Sequence, residues 1–149
     1  MMPQGYQQYQ RTQTQTASPG ELIVMMYGGA IKFLTVARQK IASADTEGAH
    51  RSLVRAQEII LELMISVDVN VGPVARNLFD LYEFMHRHLV QANIRKDGKM
   101  IGEVEQLLRE LVPAWEQAIQ TGRKVTPLSA ATASKTYSAP VEQIRYATA

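Results

Sequence analysis

The segment from Ser18 to Ile31 constrains the fold most, because it joins a complete helix start to an uncharged apolar run. Ser18 can accept a hydrogen bond from a free first-turn amide, and Glu21 can reach back to complete a capping box. Pro19 suits the first helical position, where no amide partner is needed. Residues 22–31 (LIVMMYGGAI) then contain no charge. A helix that is apolar on nearly all sides must be buried on more than one side, so the segment predicts surplus apolar surface.

Four segments of the chain show helical periodicity, and none shows a strand pattern. The predicted helices run from about Pro19 to Ala42, Thr46 to Val67, Pro73 to Ile94 and Lys99 to Gln120. Short turns with Asp, Gly or Pro separate them, and Pro113 falls on the polar side of the last helix. This set predicts an all-α fold, an antiparallel up-and-down four-helix bundle. Gly28 and Gly29 lower the helix propensity of the first helix, which predicts close approach of another backbone.

Composition divides the chain into three parts. Residues 1–17 are rich in Gln and Thr and contain few large side chains, which predicts a flexible N-terminal arm. Residues 18–122 form the bundle domain. Residues 123–149 are rich in Ala, Ser and Thr and include two prolines, which predicts a disordered tail.

The basic character of the chain does not indicate a nucleic-acid partner. The sequence pI is about 9.0. Of the 16 basic and 14 acidic side chains, four basic and one acidic lie in residues 123–149, which leaves 12 and 13 elsewhere. The predicted bundle is therefore nearly neutral. No helix face is lined with Lys or Arg as a phosphate-binding surface would require, so we expect no nucleic-acid binding.

Other bulk features favour a cytoplasmic protein. No uninterrupted run of about 18 apolar residues is present, which predicts no membrane insertion. The N-terminus lacks the basic-then-apolar order of a signal peptide. The chain has no cysteine, so disulfides and thiolate chemistry are excluded.

The sequence offers little for catalysis or metal binding. His86 and His88 project about 200° apart on a helix and cannot jointly hold a metal, and His50 is distant in sequence. No phosphate-binding loop or nucleophile elbow is present. The Arg-polar-x4–6-His motif of some small helical ribonucleases is also absent, because eight residues separate Asn77 from His86. We therefore predict no enzyme, no metal and no cofactor.

The predicted helices carry more apolar surface than a simple bundle needs. Ile59, Leu61 and Ile65 widen the apolar arc of the second helix, and Phe79 and Val90 add a flanking row to the third. Large apolar patches usually mark a partner site, and methionines make such a surface adaptable. The pattern is typical of a groove that accepts a helical or extended peptide.

These residues also resemble a known family, the flagellin-specific export chaperones of bacteria (FliS). The similarity covers about Tyr9 to Ile119. The matching residues are Tyr9, Thr16-Ala17-Ser18-Pro19-x-Glu21-Leu22, Met26-Tyr27-x-Gly29-Ala30, Phe33-Leu34, Ala56-Gln57-x-Ile59-Ile60-x-Glu62-Leu63, Asn77-Leu78-x-x-Leu81-Tyr82-x-x-Met85, Leu89-x-x-Ala92-Asn93, Asp97, Glu103-Val104, Leu107 and Trp115. The block from Thr16 to Tyr27 is the most specific of these.

The resemblance implies a cytoplasmic chaperone that binds the disordered C-terminal segment of flagellin, prevents premature polymerisation and delivers the subunit for flagellar type III secretion. It implies that the N-terminal arm, through Tyr9, folds back over part of the groove when no client is bound. A component of the export gate is a further implied partner, and we expect a monomer or weak dimer. The candidate groove or cap residues are Tyr9, Leu22, Met26, Tyr27, Ile31, Leu78, Phe79, Tyr82, Met85 and Val90.

Three alternatives remain open at the level of sequence. The same apolar surplus would serve a helical protein that dimerises without a folding client. A regulatory adaptor of the flagellar system would use it to bind another flagellar protein. A helical hydrolase would instead depend on His86 or His88.

Overall fold

The computed structural model describes residues 17–121, which form four α-helices and one short 3₁₀ helix. The helices are α1 (Pro19–Ala42), α2 (Thr46–Ser66), α3 (Pro73–Arg95) and α4 (Gly98–Gln120), with the 3₁₀ helix Val69–Val71 between α2 and α3. No strand occurs in this part of the chain. The four predicted helices are confirmed. Apart from Ala17, the predicted N-terminal arm lies outside the described residues, and so does the whole predicted tail.

Local side-chain hydrogen bonds start the helices where the sequence predicts them. At α1, the Glu21 amide donates to Ser18 Oγ at 3.2 Å and the Ser18 amide donates to Glu21 Oε2 at 3.3 Å, which completes the capping box. At α2, the Gly48 amide donates to Asp45 Oδ1 at 2.9 Å. A Cβ at position 48 would lie 2.4 Å from Asp45 Oδ2, so glycine there leaves room for the cap.

The helices pack so that each touches two neighbours. α1 packs extensively against α2 and α4, and α3 packs less extensively against the same two helices. Because consecutive helices are adjacent and joined by short turns, the arrangement is the predicted antiparallel up-and-down bundle. The core between them is apolar, and its largest fully buried side chains include Tyr27, Leu34, Leu63, Tyr82 and Leu89.

The apolar surplus predicted for α1 is only partly absorbed within the bundle. Tyr27, Ala30, Leu34 and Ala37 are fully buried. The flanking side chains Ile23, Val24, Met26, Ile31, Phe33 and Ile41 are partly buried against the same core. Of the large apolar side chains of α1, Met25 stands out with 51 % exposure. The central apolar side chains of α1 are therefore buried, whereas the flanking ones keep partial exposure, and the surplus apolar surface expected on this helix stays a prediction.

By length and composition alone, α1 is also apolar enough to cross a membrane. A single helix of this kind is weak evidence for a membrane span, because the core helix of a soluble protein passes the same test. The buried face of α1 against α2 and α4 is what such a core helix requires.

Gly28 contradicts its predicted role. A Cβ built at Gly28 would meet no atom of the described residues within 4 Å, and one at Gly29 would lie 3.4 Å from Ile59 Cδ1. Residues 17–121 therefore bring no second backbone close to Gly28. Its position on the outer side of α1, with Met25 and Lys32, explains the free space.

α4 runs without interruption through Pro113, which is exposed. Leu111 and Trp115, on either side of it, are buried. The predicted position of Pro113 on the polar side is confirmed, and the proline leaves the core contacts of this helix in place.

Candidate functional site: an apolar strip between α2 and α3

The seam between α2 and α3 is fixed at one end by a side-chain hydrogen bond. Asn93 Nδ2 of α3 lies 3.0 Å from His50 Nδ1 of α2. The 3₁₀ helix Val69–Val71 closes the other end of the seam. Because the two helices are antiparallel, this register places Leu61 at about the level of Tyr82, and Val54 at about the level of Val90.

On α2, three apolar side chains point to the same side as His50. With about 100° of rotation per residue, Val54, Leu61 and Ile65 all project within about 60° of the His50 direction. Leu61 is 45 % exposed and Ile65 is 76 % exposed, whereas Val54 is half-buried. Apart from the half-buried Gln57, which projects about 20° from His50, this flank of α2 is apolar, and at Leu61 and Ile65 it is open to solvent.

On α3, a matching row follows the side that carries Asn93. Phe79 and Val90 project within about 60° of the Asn93 direction and are half-buried, whereas Ile94, one turn beyond Val90, projects about 100° from that direction, toward the outer face of α3, and is 72 % exposed. His86 lies between Phe79 and Val90 in the same row. The two flanks together form what we call the apolar strip, defined by Val54, Leu61, Ile65, Phe79, Val90 and Ile94.

Charged side chains border the apolar strip, with acidic ones along one half and basic ones along the other. Its half nearest the 3₁₀ helix is bordered by Glu58 and Glu62 of α2 and by Asp80 and Glu83 of α3. Its other half is bordered by the arginines Arg51, Arg55 and Arg87. Two ion pairs cross from one group to the other, Arg55–Glu58 at 4.0 Å and Arg87–Glu83 at 3.6 Å, and all four of these side chains are well exposed. Such pairs contribute little, so the charges remain available to a partner.

The seam between α1 and α4 is closed by buried polar contacts. Glu105 of α4 accepts hydrogen bonds from Thr35 Oγ1 at 2.5 Å and Arg38 Nη2 at 2.6 Å, and its side chain is 8 % exposed. Nearer the other end, Trp115 Nε1 donates to Tyr27 Oη at 3.0 Å. Of the five exposed large apolar side chains in residues 17–121, none belongs to α4 and only Met25 belongs to α1.

The Tyr27 hydroxyl also contacts Tyr82 Oη of α3 at 2.5 Å, inside the core. The two rings meet edge to face with their centroids 6.3 Å apart. Burial raises the pKa of both hydroxyls above the ordinary tyrosine value, so both remain neutral. Tyr27, Tyr82 and Trp115 therefore join α1, α3 and α4 through one hydrogen-bonded group.

The structure places the ten sequence-predicted site residues in three different settings. Four lie in the core, out of direct reach of a surface partner: Tyr27, Leu78, Tyr82 and Met85. Five are half-buried: Leu22, Met26 and Ile31 on α1, and Phe79 and Val90 on the apolar strip. Tyr9 lies outside the described residues. For the four core residues the geometry supports an organising role in the bundle, and the client-contact role of the others stays a prediction.

Four residues of the apolar strip are not among the ten site residues predicted from sequence. The sequence pattern indicates Leu61 and Ile65 only as part of a wide apolar arc, and it does not single out Val54 and Ile94. The available signal was helical spacing: Val54, Leu61 and Ile65 lie at i, i+7 and i+11, like Phe79, His86 and Val90.

Residues 17–121 contain no group of three or more His, Cys, Asp or Glu side chains that could hold a metal ion. His86 belongs to the row that lines the apolar strip. His88 points elsewhere and lies 2.7 Å from Glu103 of α4, while its ring stacks on Phe84.

The fold and the strip define a class of protein, a small helical bundle with an open apolar surface between neighbouring helices. Sequence comparison gives the family. The family model described as "Flagellar protein FliS" matches residues 2–122. The chain belongs to the FliS family.

Individual relatives agree with this assignment. Over 119 residues the chain is 41 % identical to the flagellar secretion chaperone FliS of Bacillus subtilis (strain 168), covering 80 % of this chain and 89 % of the relative. It is 39 % identical over 104 residues to that of Salmonella typhimurium, covering 68 % and 77 %. The resemblance predicted from sequence is confirmed. The family is one of chaperones rather than enzymes, and membership supports an export chaperone role.

Proposed function

We propose that this protein is a cytoplasmic chaperone that binds the C-terminal segment of flagellin along the apolar strip, prevents its premature polymerisation and delivers it to the flagellar export gate. Family membership supports the export role. The observation that carries the proposed site is the exposure of Leu61 and Ile65 beside Phe79, in a bundle whose α1–α4 seam is joined by polar contacts.

The strip has the form that an amphipathic helix requires. Its apolar residues on each side recur at helical spacing, so a client helix can lay one apolar face between α2 and α3. Full burial of a large apolar side chain contributes about 1.5–3 kcal/mol, and much of the total offsets the entropy lost when the client orders. Tight binding therefore requires the client to extend beyond the strip onto other parts of the bundle.

The border charges favour one orientation of the client. A client helix with basic side chains toward one end would place that end beside Glu58, Glu62 and Asp80. Its acidic side chains would lie beside Arg51, Arg55 and Arg87. Complementary charges of this kind chiefly set register and association rate.

Titration calorimetry with a flagellin C-terminal peptide tests the proposal. We expect binding at micromolar concentrations or below with a large negative heat-capacity change, because apolar surface is buried. Ile65→Glu places a charge on the strip and is expected to weaken binding at least about 10-fold, since unpaired burial of a charge costs more than 1.4 kcal/mol. Met25→Glu is the matched control, because Met25 is similarly exposed but lies on the outer side of α1.

No binding of the peptide by the unaltered protein at micromolar concentrations would refute the proposal. Equal weakening by Ile65→Glu and Met25→Glu would place the site elsewhere on the bundle. Sedimentation of the free protein over a range of concentrations tests the rival in which a second copy covers the strip. A dimer that persists on dilution and excludes the peptide would favour that rival.

A further inference from the structure

The two halves of the bundle carry opposite charge. The half that contains the start of α1 and the end of α4 comprises residues 17–30, 57–83 and 110–121, in which eight side chains are acidic and Arg76 alone is basic, a net charge of −7. The other half, residues 31–56 and 84–109, has ten basic and five acidic side chains, a net charge of +5. We call the first of these the acidic half.

The acidic half also holds most of the exposed apolar surface. Five large apolar side chains of residues 17–121 are exposed, and four of them lie in this half: Met25, Leu61, Ile65 and Val71. Leu61 and Ile65 stand between Glu58 and Glu62 of their own helix and Asp80 of α3. This combination fits a segment that is both basic and partly apolar.

The chain itself supplies such a segment next to the acidic half. α4 ends at Gln120, and the hydrogen bond from Trp115 to Tyr27 places that end beside the start of α1. Residues 122–149 follow directly, with Arg123, Lys124, Lys135 and Arg145 against Glu142 alone. Their apolar side chains include Val125, Leu128, Tyr137, Val141, Ile144 and Tyr146.

Residues 122–149 are long enough to reach the acidic half, and they lie outside the match to the family. At about 3.3 Å per residue these 28 residues can reach every part of the bundle surface. The family model ends at residue 122, so the match to FliS does not extend over the segment.

We propose that residues 122–149 bind the acidic half of their own bundle, with the basic side chains beside Glu58, Glu62, Asp68 and Asp80 and the apolar ones on Leu61, Ile65 and Val71. A tethered segment acts at an effective concentration in the millimolar range, so weak individual contacts suffice. Contacts between exposed charges are screened by salt, which makes the interaction salt-sensitive. The surface overlaps one end of the apolar strip, so a further consequence, which rests on the proposed function, is competition with the client there.

Paramagnetic relaxation in the full chain tests this inference without any client. The chain has no cysteine, so Ser138→Cys gives a single site for a spin label. At low salt we expect attenuated amide signals at residues 58–72 of α2 and the following turn. The signals are expected to recover at about 0.5 M salt, where the screening length falls to a few ångströms. They are also expected to recover when Arg123, Lys124, Lys135 and Arg145 are replaced by Ala.

A matched control replaces four uncharged residues of the same segment by Ala, namely Thr126, Ser129, Thr132 and Ser134, and should retain the attenuation. All of these substitutions lie outside residues 17–121, so they leave the described bundle unchanged in sequence. Attenuation confined to the residues next to Thr121, or centred on the basic half, would overturn the inference.

A mixture of spin-labelled and isotope-labelled molecules distinguishes the tethered segment from that of a second copy. If the signals in the mixture are attenuated as strongly as in the singly labelled full chain, the segment binds a second molecule, and the proposal that it binds its own bundle is overturned. Because no flagellin peptide is present, a negative result here leaves the proposed function standing. Failure of peptide binding would likewise leave this result unaffected.

Discussion

The seam between α1 and α4 and the seam between α2 and α3 are built from similar amphipathic helices but differ in how they are closed. The first is joined by Glu105 with Thr35 and Arg38, and by Trp115 with Tyr27. The second is joined at one end by His50 and Asn93, and apolar side chains follow the rest of it to the surface.

The difference shows how one bundle can combine a fixed interior with an open surface. Buried polar groups are costly unless they are paired, so the contacts at the first seam specify one arrangement of α1 and α4. The second seam exposes Leu61 and Ile65, which contribute little to the isolated fold and remain available to a partner. Under the proposed function, stability and binding therefore depend on different sides of the molecule.

The largest expected effect separates two leucines of α2 that lie two residues apart. Leu63 is fully buried and Leu61 is 45 % exposed. Leu63→Ala should lower the free energy of unfolding by about 2–5 kcal/mol, because it leaves a cavity in the core. Leu61→Ala should lower it by less than about 1 kcal/mol. Urea denaturation of both variants measures the difference, and similar losses would mean that the second seam is as closed as the first.

Alkaline pH should destabilise the bundle through Tyr27 and Tyr82. Burial raises the pKa of both hydroxyls in the folded state, so above pH of about 10 the unfolded chain releases protons that the folded chain retains. Their contribution is complete below that pH. Above it, the free energy of unfolding should fall by about 1.4 kcal/mol per tyrosine per pH unit.

Urea denaturation at several pH values between 9 and 11 measures whether the free energy of unfolding falls as the pH rises. Tyr82→Phe removes one of the two buried hydroxyls, so its stability should depend less steeply on pH in this range. An equal slope in the variant would show that Tyr82 does not contribute.

Removal of the Arg38 side chain should lower the free energy of unfolding more than removal of an arginine side chain beside the second seam. Arg38→Ala leaves the Glu105 carboxylate, 8 % exposed, with Thr35 as its remaining partner in α1. We expect a loss of about 1–3 kcal/mol. Arg87→Ala breaks an exposed pair with Glu83 and should cost less than about 0.5 kcal/mol. Thermal unfolding of the two variants should therefore give clearly different midpoints.

The smallest expected effect is an increase in the stability of the fold. Gly28→Ala introduces a methyl group into open space on α1, so it should stabilise the helix by about 0.5–1 kcal/mol. Gly48→Ala is the contrasting change, because its Cβ would displace the Asp45 side chain that caps α2. Denaturation that shows Gly28→Ala to be destabilising would mean that the outer side of α1 is covered.

Sequence predicts the parts of this molecule that depend on local chemistry. The capping box at Ser18 and the place of Pro113 involve residues close together in the chain, and the structure confirms them. The helices follow from the period of their apolar residues. The family could be predicted as well, because the block from Thr16 to Tyr27 is specific.

Properties that depend on contacts between distant parts of the chain could not be predicted from sequence in this way. The apolar run of α1 does not show which of its side chains the neighbouring helices cover: the structure buries Tyr27 and Leu34 and leaves Met25 exposed. The contact between Tyr27 and Tyr82 joins residues 55 positions apart, and it moves both from the predicted site into the core. Ile94 was missed because it stands among polar residues and gains meaning only from its position beside Val90.

Methyl NMR of the protein with a flagellin C-terminal peptide tests the central claim most directly, because it compares the two seams in one sample. We predict that the methyl signals of Leu61, Ile65 and Ile94 shift on binding, whereas those of Met25 and of the buried Ile101 stay unchanged. Shifts confined to Met25, Met100 or other methyl groups along α1 and α4, with Ile65 unaffected, would contradict the assignment of binding to the seam between α2 and α3.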